Sequence, residues 1–203
     1  DGSGKFIAAV MKSPVVRDAT MELLKSRDGL ALGICNGFQA LIKTGLVPFG
    51  EIRDVDASAP TLFHNRIARH ISRYAHTRVA SVKSPWLARM EVGQVHTIPL
   101  SHGEGRFTAP AAVIADLVKN GQVAFQYCDA AGAPSNRIES NPNGSLEAVE
   151  GITSPCGRVL GKMAGEAAVA LIGGAVGTGI AVRSSSASPS ARMNEATIGA
   201  GAY

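Results

Sequence analysis

The chain has 203 residues, 45% hydrophobic and 18% charged, which suffices for one domain with a real core. Its net charge of +4 is carried by scattered basic residues and aromatics are 5%, so nothing in it reads as a nucleic-acid footprint. Three cysteines, an odd number, exclude a tidy disulfide framework and point to a reducing, cytoplasmic compartment, and no N-terminal signal pattern is present.

In chain order, Lys5 to Met11 reads as a short apolar-rich helix. Ser13-Pro14 fits a helix cap and first helical position, and Val15, Leu23 and Leu24 carry an amphipathic helix to about Ser26, ended by Asp28-Gly29. Leu30 to Ile34 is an apolar run with the length of a buried strand. Asn36 to Lys43 follows as a helix that Thr44-Gly45 stops.

The junction between strand and helix is Gly33-Ile34-Cys35-Asn36-Gly37, a cysteine with glycines two residues before and two after. That is the spacing of a nucleophile elbow. The glycines let the chain fold back tightly and let Cys35 adopt a strained backbone. At the N-terminus of the helix, Cys35 would meet free N–H groups and the dipole, which favour the thiolate. The Asn36 N–H can serve a developing oxyanion. Gln39 lies one turn further on the same helical face, so a second polar side chain looks into the same pocket. An inert buried cysteine in an ordinary strand–turn–helix is the competing reading of the motif taken alone.

Gly50 to Pro60 is loop, and Thr61 to Arg69 and Tyr74 to Ser81 read as strands. Ser84-Pro85-Trp86-Leu87 carries the only tryptophan, expected to anchor a loop by packing. A strand over Gln94 to Leu100 leads into Ser101-His102-Gly103-Glu104-Gly105-Arg106-Phe107, where Glu104 and Arg106 are candidates for an ion pair. Pro110 to Lys119 is a helix capped by Asn120-Gly121, and Gln122 to Cys128 a strand. After a polar loop, Asn141-Pro142-Asn143-Gly144-Ser145 is a strong turn signal. Leu146 to Thr153 and Arg158 to Leu160 are strands around a turn containing Cys156.

From Ala164 the composition changes to Ala, Gly and Ser. Val169 to Val182 is too short and glycine-rich for a membrane span. Gly174-Ala-Val-Gly177-Thr-Gly179 lacks the order of a dinucleotide loop. Arg183 to Arg192 is serine-rich and expected to be mobile. Helices alternating with strands, then a run of strands, predict an α/β fold with an antiparallel extension. The elbow then falls at the carboxyl end of a central strand, where ligands bind in such sheets.

Gly33-Ile34-Cys35-Asn36-Gly37-Phe38-Gln39-Ala40-Leu41 resembles the glutaminase elbow of the phosphoribosylformylglycinamidine synthase family, of purine synthesis. Asp1-Gly2-Ser3-Gly4-Lys5-Phe6-Ile7-Ala8, Lys83-Ser84-Pro85-Trp86-Leu87, the Ser101–Phe107 segment, Asn141–Ser145, Gly151-Ile152-Thr153-Ser154-Pro155 and Gly157–Met163 resemble it too, in order. Together they span residues 1–163. The resemblance implies a flavodoxin-like, class I (triad) glutamine amidotransferase domain with helices on both faces of its sheet. It would release ammonia from glutamine for a synthetase domain or subunit, which would use ATP and Mg²⁺ to turn the formyl amide of formylglycinamide ribonucleotide into an amidine. No metal, other cofactor, nucleic acid or membrane is implied for this part. By the same resemblance Cys35 is the nucleophile, the backbone at Asn36 and Gly37 the oxyanion side, and Gln39, His102, Gly103 and Phe107 substrate-binding residues.

Two departures bear on activity. Family members carry a further strand, helix and strand before the position of Asp1, with a glycine loop that completes the oxyanion hole, so the chain is expected to be a fragment. The family also continues Gly-Lys-Met-Gly-His-x-Glu-Arg, supplying the catalytic His and Glu, where this chain reads Gly161-Lys162-Met163-Ala164-Gly165-Glu166 and has no histidine after His102. Residues 164–203 are therefore expected not to be the family's native tail but the product of a reading-frame change or a sequence error, and this part to be weakly active or inactive. His102 is the best substitute base. His64, His70, His76 and His96 read as surface or structural histidines, and Cys128 and Cys156 as inert. The alternatives are another elbow-bearing cysteine hydrolase and a non-catalytic module packed on a synthetase.

Overall fold

The computed structural model describes residues 2–163 and two further strands, Gly179–Arg183 and Ala196–Gly199. Helix α1 (Gly2–Lys12) and α2 (Pro14–Lys25) come first. Pro14 takes the first helical position of α2, where a missing N–H costs nothing, and Ser13 precedes it in extended backbone. Strand β1 (Leu30–Ile34) runs into α3 (Asn36–Thr44), which ends on Gly45 at φ 84°. The single turn α4 (Leu46–Phe49) follows.

Next come β2 (Thr61–His64), β3 (Ile71–Val79), β4 (Val95–His102), β5 (Glu104–Thr108), α5 (Ala111–Lys119) and β6 (Val123–Cys128). Strands β7 (Val149–Thr153) and β8 (Val159–Lys162) complete the main run, with β9 (Gly179–Arg183) and β10 (Ala196–Gly199) beyond it. The main sheet has the order β10-β9-β1-β8-β7-β6-β3-β4, and β2 pairs with β5 in a small second sheet. Among the described strands, β1 and β8 form the one parallel pair and every other pairing is antiparallel. The short Ser154–Gly157 turn between β7 and β8 leaves no length for a parallel crossover.

Side-chain alternation sorts the core into two main clusters. Ala31 of β1 and Val159 of β8 share one with Phe38, Leu41, Ile7, Met11, Ile114 and Leu117, so α1, α3 and α5 bury their apolar stripes there. Leu32, Ile34 and Leu160 point the other way, onto Trp86 and Leu87. These belong to a 3-10 turn at Pro85–Leu87, and the Trp86 ring N–H donates to the Ala31 carbonyl at 3.1 Å. The tryptophan thus anchors its loop as expected. No helix of the described residues is long and apolar enough to cross a membrane.

Several boundaries differ from the sequence reading: α1 begins at Gly2, β3 begins at Ile71 and β4 runs on to His102. The strand expected over Thr61 to Arg69 ends at His64, because Asn65 turns the chain: its N–H donates to Gly103 O, and its amide donates to the carbonyls of His102 and Arg69. The stretch from Leu146 is a 3-10 turn to Ala148 before β7 begins at Val149. The expectations for Glu166, for the Gly174–Thr178 stretch and for a mobile 184–192 segment lie outside the described residues.

Candidate active site

Cys35 stands between β1 and α3 at φ 53°, ψ −106°, a region that side-chain-bearing residues rarely occupy. Its surroundings enforce that strain. The Cys35 N–H donates to Lys162 O on β8 at 3.0 Å, and its carbonyl accepts from the Gln39 N–H at 3.0 Å as the first bond of α3. A Cβ on Gly33 would lie 2.4 Å from Leu41 Cδ1 and 2.8 Å from Gly37 O, so strand and helix backbones approach as only glycine allows. The nucleophile elbow read from the spacing is therefore a real backbone feature.

The sulfur does not have the electrostatics expected of a helix N-terminus. Burial pushes the Cys35 thiol up, the Asn36 N–H pulls it down and the nearby Glu104 carboxylate pushes it up again; the net direction is up. The expectation that the free N–H groups and the dipole favour the thiolate is thus corrected: a half-enclosed sulfur near a carboxylate needs a proton acceptor.

Gln39 and Glu104 come together beside it. Gln39 is almost fully buried on α3, and its amide donates to Glu104 Oε2 at 3.3 Å. The other Glu104 oxygen faces His64 Nδ1 at 3.4 Å. Arg106 instead reaches the His64 carbonyl at 3.1 Å and lies over the Phe63 ring, so the expected Glu104–Arg106 pair does not form. Residues two apart on a regular strand share a face, but Gly105 between these two, at φ 135°, breaks that regularity.

His102 ends β4, with its ring buried and both ring nitrogens without a hydrogen-bond partner among the described residues. Burial, then the charge of His70, lowers its pKa to about 4. It is therefore neutral near pH 7 and makes no hydrogen bond to Cys35. Gly103 joins β4 to β5 and accepts from Asn65, while Phe107 is fully buried in the core with Leu62. The structure gives Phe107 a packing position, and its N–H donates to Ser145 Oγ at 3.0 Å. His64, His76 and His96 sit on strands and His70 in the turn before β3, and none bonds to Cys35. Cys128 is buried, and Cys156 lies in the β7–β8 turn, 3.5 Å from Ser154 Oγ.

Sequence reasoning missed a buried polar layer under the elbow. Lys162 and Glu150 are completely buried and paired at 3.0 Å, with the ammonium over the Phe125 ring at 4.8 Å. Beside them the Tyr127 hydroxyl accepts from Asn143, and burial with the charge of Glu150 raises that phenol well above its ordinary value. Asn143 also donates to Gly105 O, and Ser145 bonds Asn143 Oδ1. The Asn141–Ser145 turn thus holds β5 in place. A lysine inside Val-Leu-Gly-Lys-Met and a glutamate inside Val-Glu-Gly-Ile-Thr were the available signals, since a charge in an apolar strand needs a partner.

The CobB/CobQ-like glutamine amidotransferase domain family matches residues 1–172. The chain is 37% identical over 151 residues to the phosphoribosylformylglycinamidine synthase subunit PurQ of Salinibacter ruber, covering 74% of this chain and 58% of that one. It is 39% identical over 154 residues to the subunit of the same name from Synechococcus elongatus, covering 75% and 60%. The chain therefore spans about three-fifths of the length of these curated relatives. Among solved structures, PurLQS from Thermotoga maritima shares the fold, with a TM-score of 0.55, 24% identity, and coverage of 77% of this chain and 59% of that one.

Proposed function

This chain belongs to the CobB/CobQ-like glutamine amidotransferase domain family, and we propose that it is the glutaminase part of a phosphoribosylformylglycinamidine synthase. The observation that carries the proposal is the strained Cys35 at the end of an interior strand, in a chain with PurQ subunits among its relatives. Cys35 Sγ, once deprotonated, attacks the side-chain carboxamide carbon of glutamine. The oxygen of the tetrahedral intermediate takes its negative charge next to the Asn36 N–H at the head of α3, with Gly37 behind it. The C–N bond then breaks, the nitrogen leaves as ammonia after gaining a proton, and a glutamyl thioester remains on Cys35. Water attacks the thioester, releasing glutamate and regenerating the thiol. Gln39, His102 and Gly103 form the substrate side of this pocket, with Phe107 supporting it from the core. A synthetase subunit would take up the ammonia, using ATP and Mg²⁺ held on that subunit.

A non-catalytic module packed on a synthetase is favoured by one observation: among the described residues no histidine hydrogen-bonds Cys35, whose thiol is pushed towards its protonated form. A diazo-ketone analogue of glutamine separates the readings. It alkylates Cys35 in the glutaminase, and glutamate release is lost in Cys35→Ala. Alkylation at Cys128 or Cys156 alone, or none, favours the packing module instead.

A further inference from the structure

The turn between β2 and β3 presents an unusual surface. Arg66, Ile67, Arg69 and His70 are exposed, and Phe63 beside them is 51% exposed. The Arg106 guanidinium lies over the Phe63 ring at 5.8 Å. Arg66, Arg69 and Arg106 meet no carboxylate among the described residues, although the chain holds surface ion pairs elsewhere, such as Lys12–Asp54 and Arg27–Glu22. Arginine with aromatic and aliphatic side chains is the composition of an interface centre, not of a solvated face.

The backbone of this surface is fastened to the candidate site. Asn65, 2% exposed, bonds Gly103 through its N–H and His102 and Arg69 through its amide, and the Arg66 N–H donates to Asn143 O at 3.0 Å. From His64 the contacts run to Glu104, to Gln39 and to the Cys35 carbonyl. A backbone already held in place leaves less to order when a partner lands on it.

We infer that this Phe63–His70 surface, with Arg106, is where an acidic patch of the ammonia-consuming synthetase subunit docks. The inference rests on the glutaminase reading above. Ammonia freed at Cys35 is protonated and diluted in water unless the consuming subunit closes against the glutaminase near the thiol. The turn joined in this way to Gln39 and Glu104 carries Arg66 and Arg69, which meet no carboxylate among the described residues, and exposed Phe63 and Ile67, which an acidic, partly apolar face complements.

The test is binding of the purified chain to the purified synthetase subunit, followed by titration calorimetry. The double charge reversal Arg66→Glu/Arg69→Glu weakens binding on the order of 100-fold, as expected for two close cross-interface charge pairs. Arg66→Gln/Arg69→Gln weakens it less, and Arg17→Glu/Arg27→Glu on α2 and just beyond it leaves it unchanged. Wild-type binding falls with added salt more steeply than that of the reversed variant. Circular dichroism and analogue labelling of Cys35 remain as in wild type, which separates lost docking from lost folding. Undiminished binding of the reversed variant overturns the docking surface and leaves the glutaminase reading standing. Failure of wild type both to bind the synthetase and to take the analogue overturns that reading and the inference with it. Loss of single-stranded RNA binding with synthetase binding intact makes the surface a polyanion site and likewise overturns the proposal.

Discussion

The backbone N–H of Cys35 is bonded to the carbonyl of Lys162 at 3.0 Å, so the residue that leaves β1 stays fastened to the neighbouring parallel strand. The same Lys162 carries the ammonium of the buried pair with Glu150. One residue therefore clamps the elbow through its backbone and ties it to the polar layer below through its side chain.

The strain at Cys35 is measurable. A residue with a side chain at φ 53°, ψ −106° costs roughly 1–3 kcal/mol, and glycine escapes most of that. Cys35→Gly is expected to melt about 2–4 °C above Cys35→Ala, a difference of about 1 kcal/mol, with both variants inactive in glutamate release. Equal melting temperatures would mean that an alanine at this position relaxes without cost.

Breaking the buried pair is expected to be expensive, and removing it less so. Glu150→Gln takes away the carboxylate that the Lys162 ammonium faces, with no exposure to solvent, and should lose about 3 kcal/mol in urea unfolding. Glu150→Gln/Lys162→Met removes both charges and is expected to recover at least half of that loss. A double variant no more stable than the single one contradicts this.

His102 gives stability a pH dependence of definite sign. Its pKa is about 4 in the folded chain and near 6.5 when exposed, so between these values the unfolded chain binds the extra proton. Its contribution is complete above pH 6.5 and is lost as pH falls towards 4, on the order of 3 kcal/mol at most. Unfolding free energies at about pH 7 and about pH 4.5 should therefore differ less in His102→Gln than in wild type.

Alkylation of Cys35 by iodoacetamide should rise through a midpoint above the ordinary thiol value, since burial and Glu104 both oppose the thiolate. Glu104→Gln removes the like charge and should move the midpoint down. Peptide mapping separates this from Cys156, whose thiol has the opposite direction: burial raises it, but hydrogen bonds from Ser154 and the backbone, with the charge of Arg158, outweigh that and lower it.

Local rules made the elbow and much of the fold legible in sequence. Gly33-x-Cys35-x-Gly37 names a strained turn because the close approach at Gly33 excludes a Cβ, and Ser13-Pro14 marks the start of α2 because proline is favoured at the first helical position, where its missing N–H costs nothing. What stayed hidden depends on tertiary contacts. Asn65 ends β2 by bonding to residues almost forty positions away. The Ser101–Phe107 segment looks like a polar loop, yet Glu104–Thr108 is a strand because β2 supplies its partner. Glu104 finds Gln39 across 65 residues, where the eye pairs it with nearby Arg106. The depth of Lys162 follows from the layers above and below β8, which no spacing records.

The Trp86 ring bond to the Ala31 carbonyl lies on the strand that delivers Cys35, four residues before it. Since this is the chain's lone indole, the protein carries a built-in fluorophore on that strand. Its emission reports, without any label, whether the strand is seated, so refolding of the elbow can be timed separately from recovery of bulk helicity.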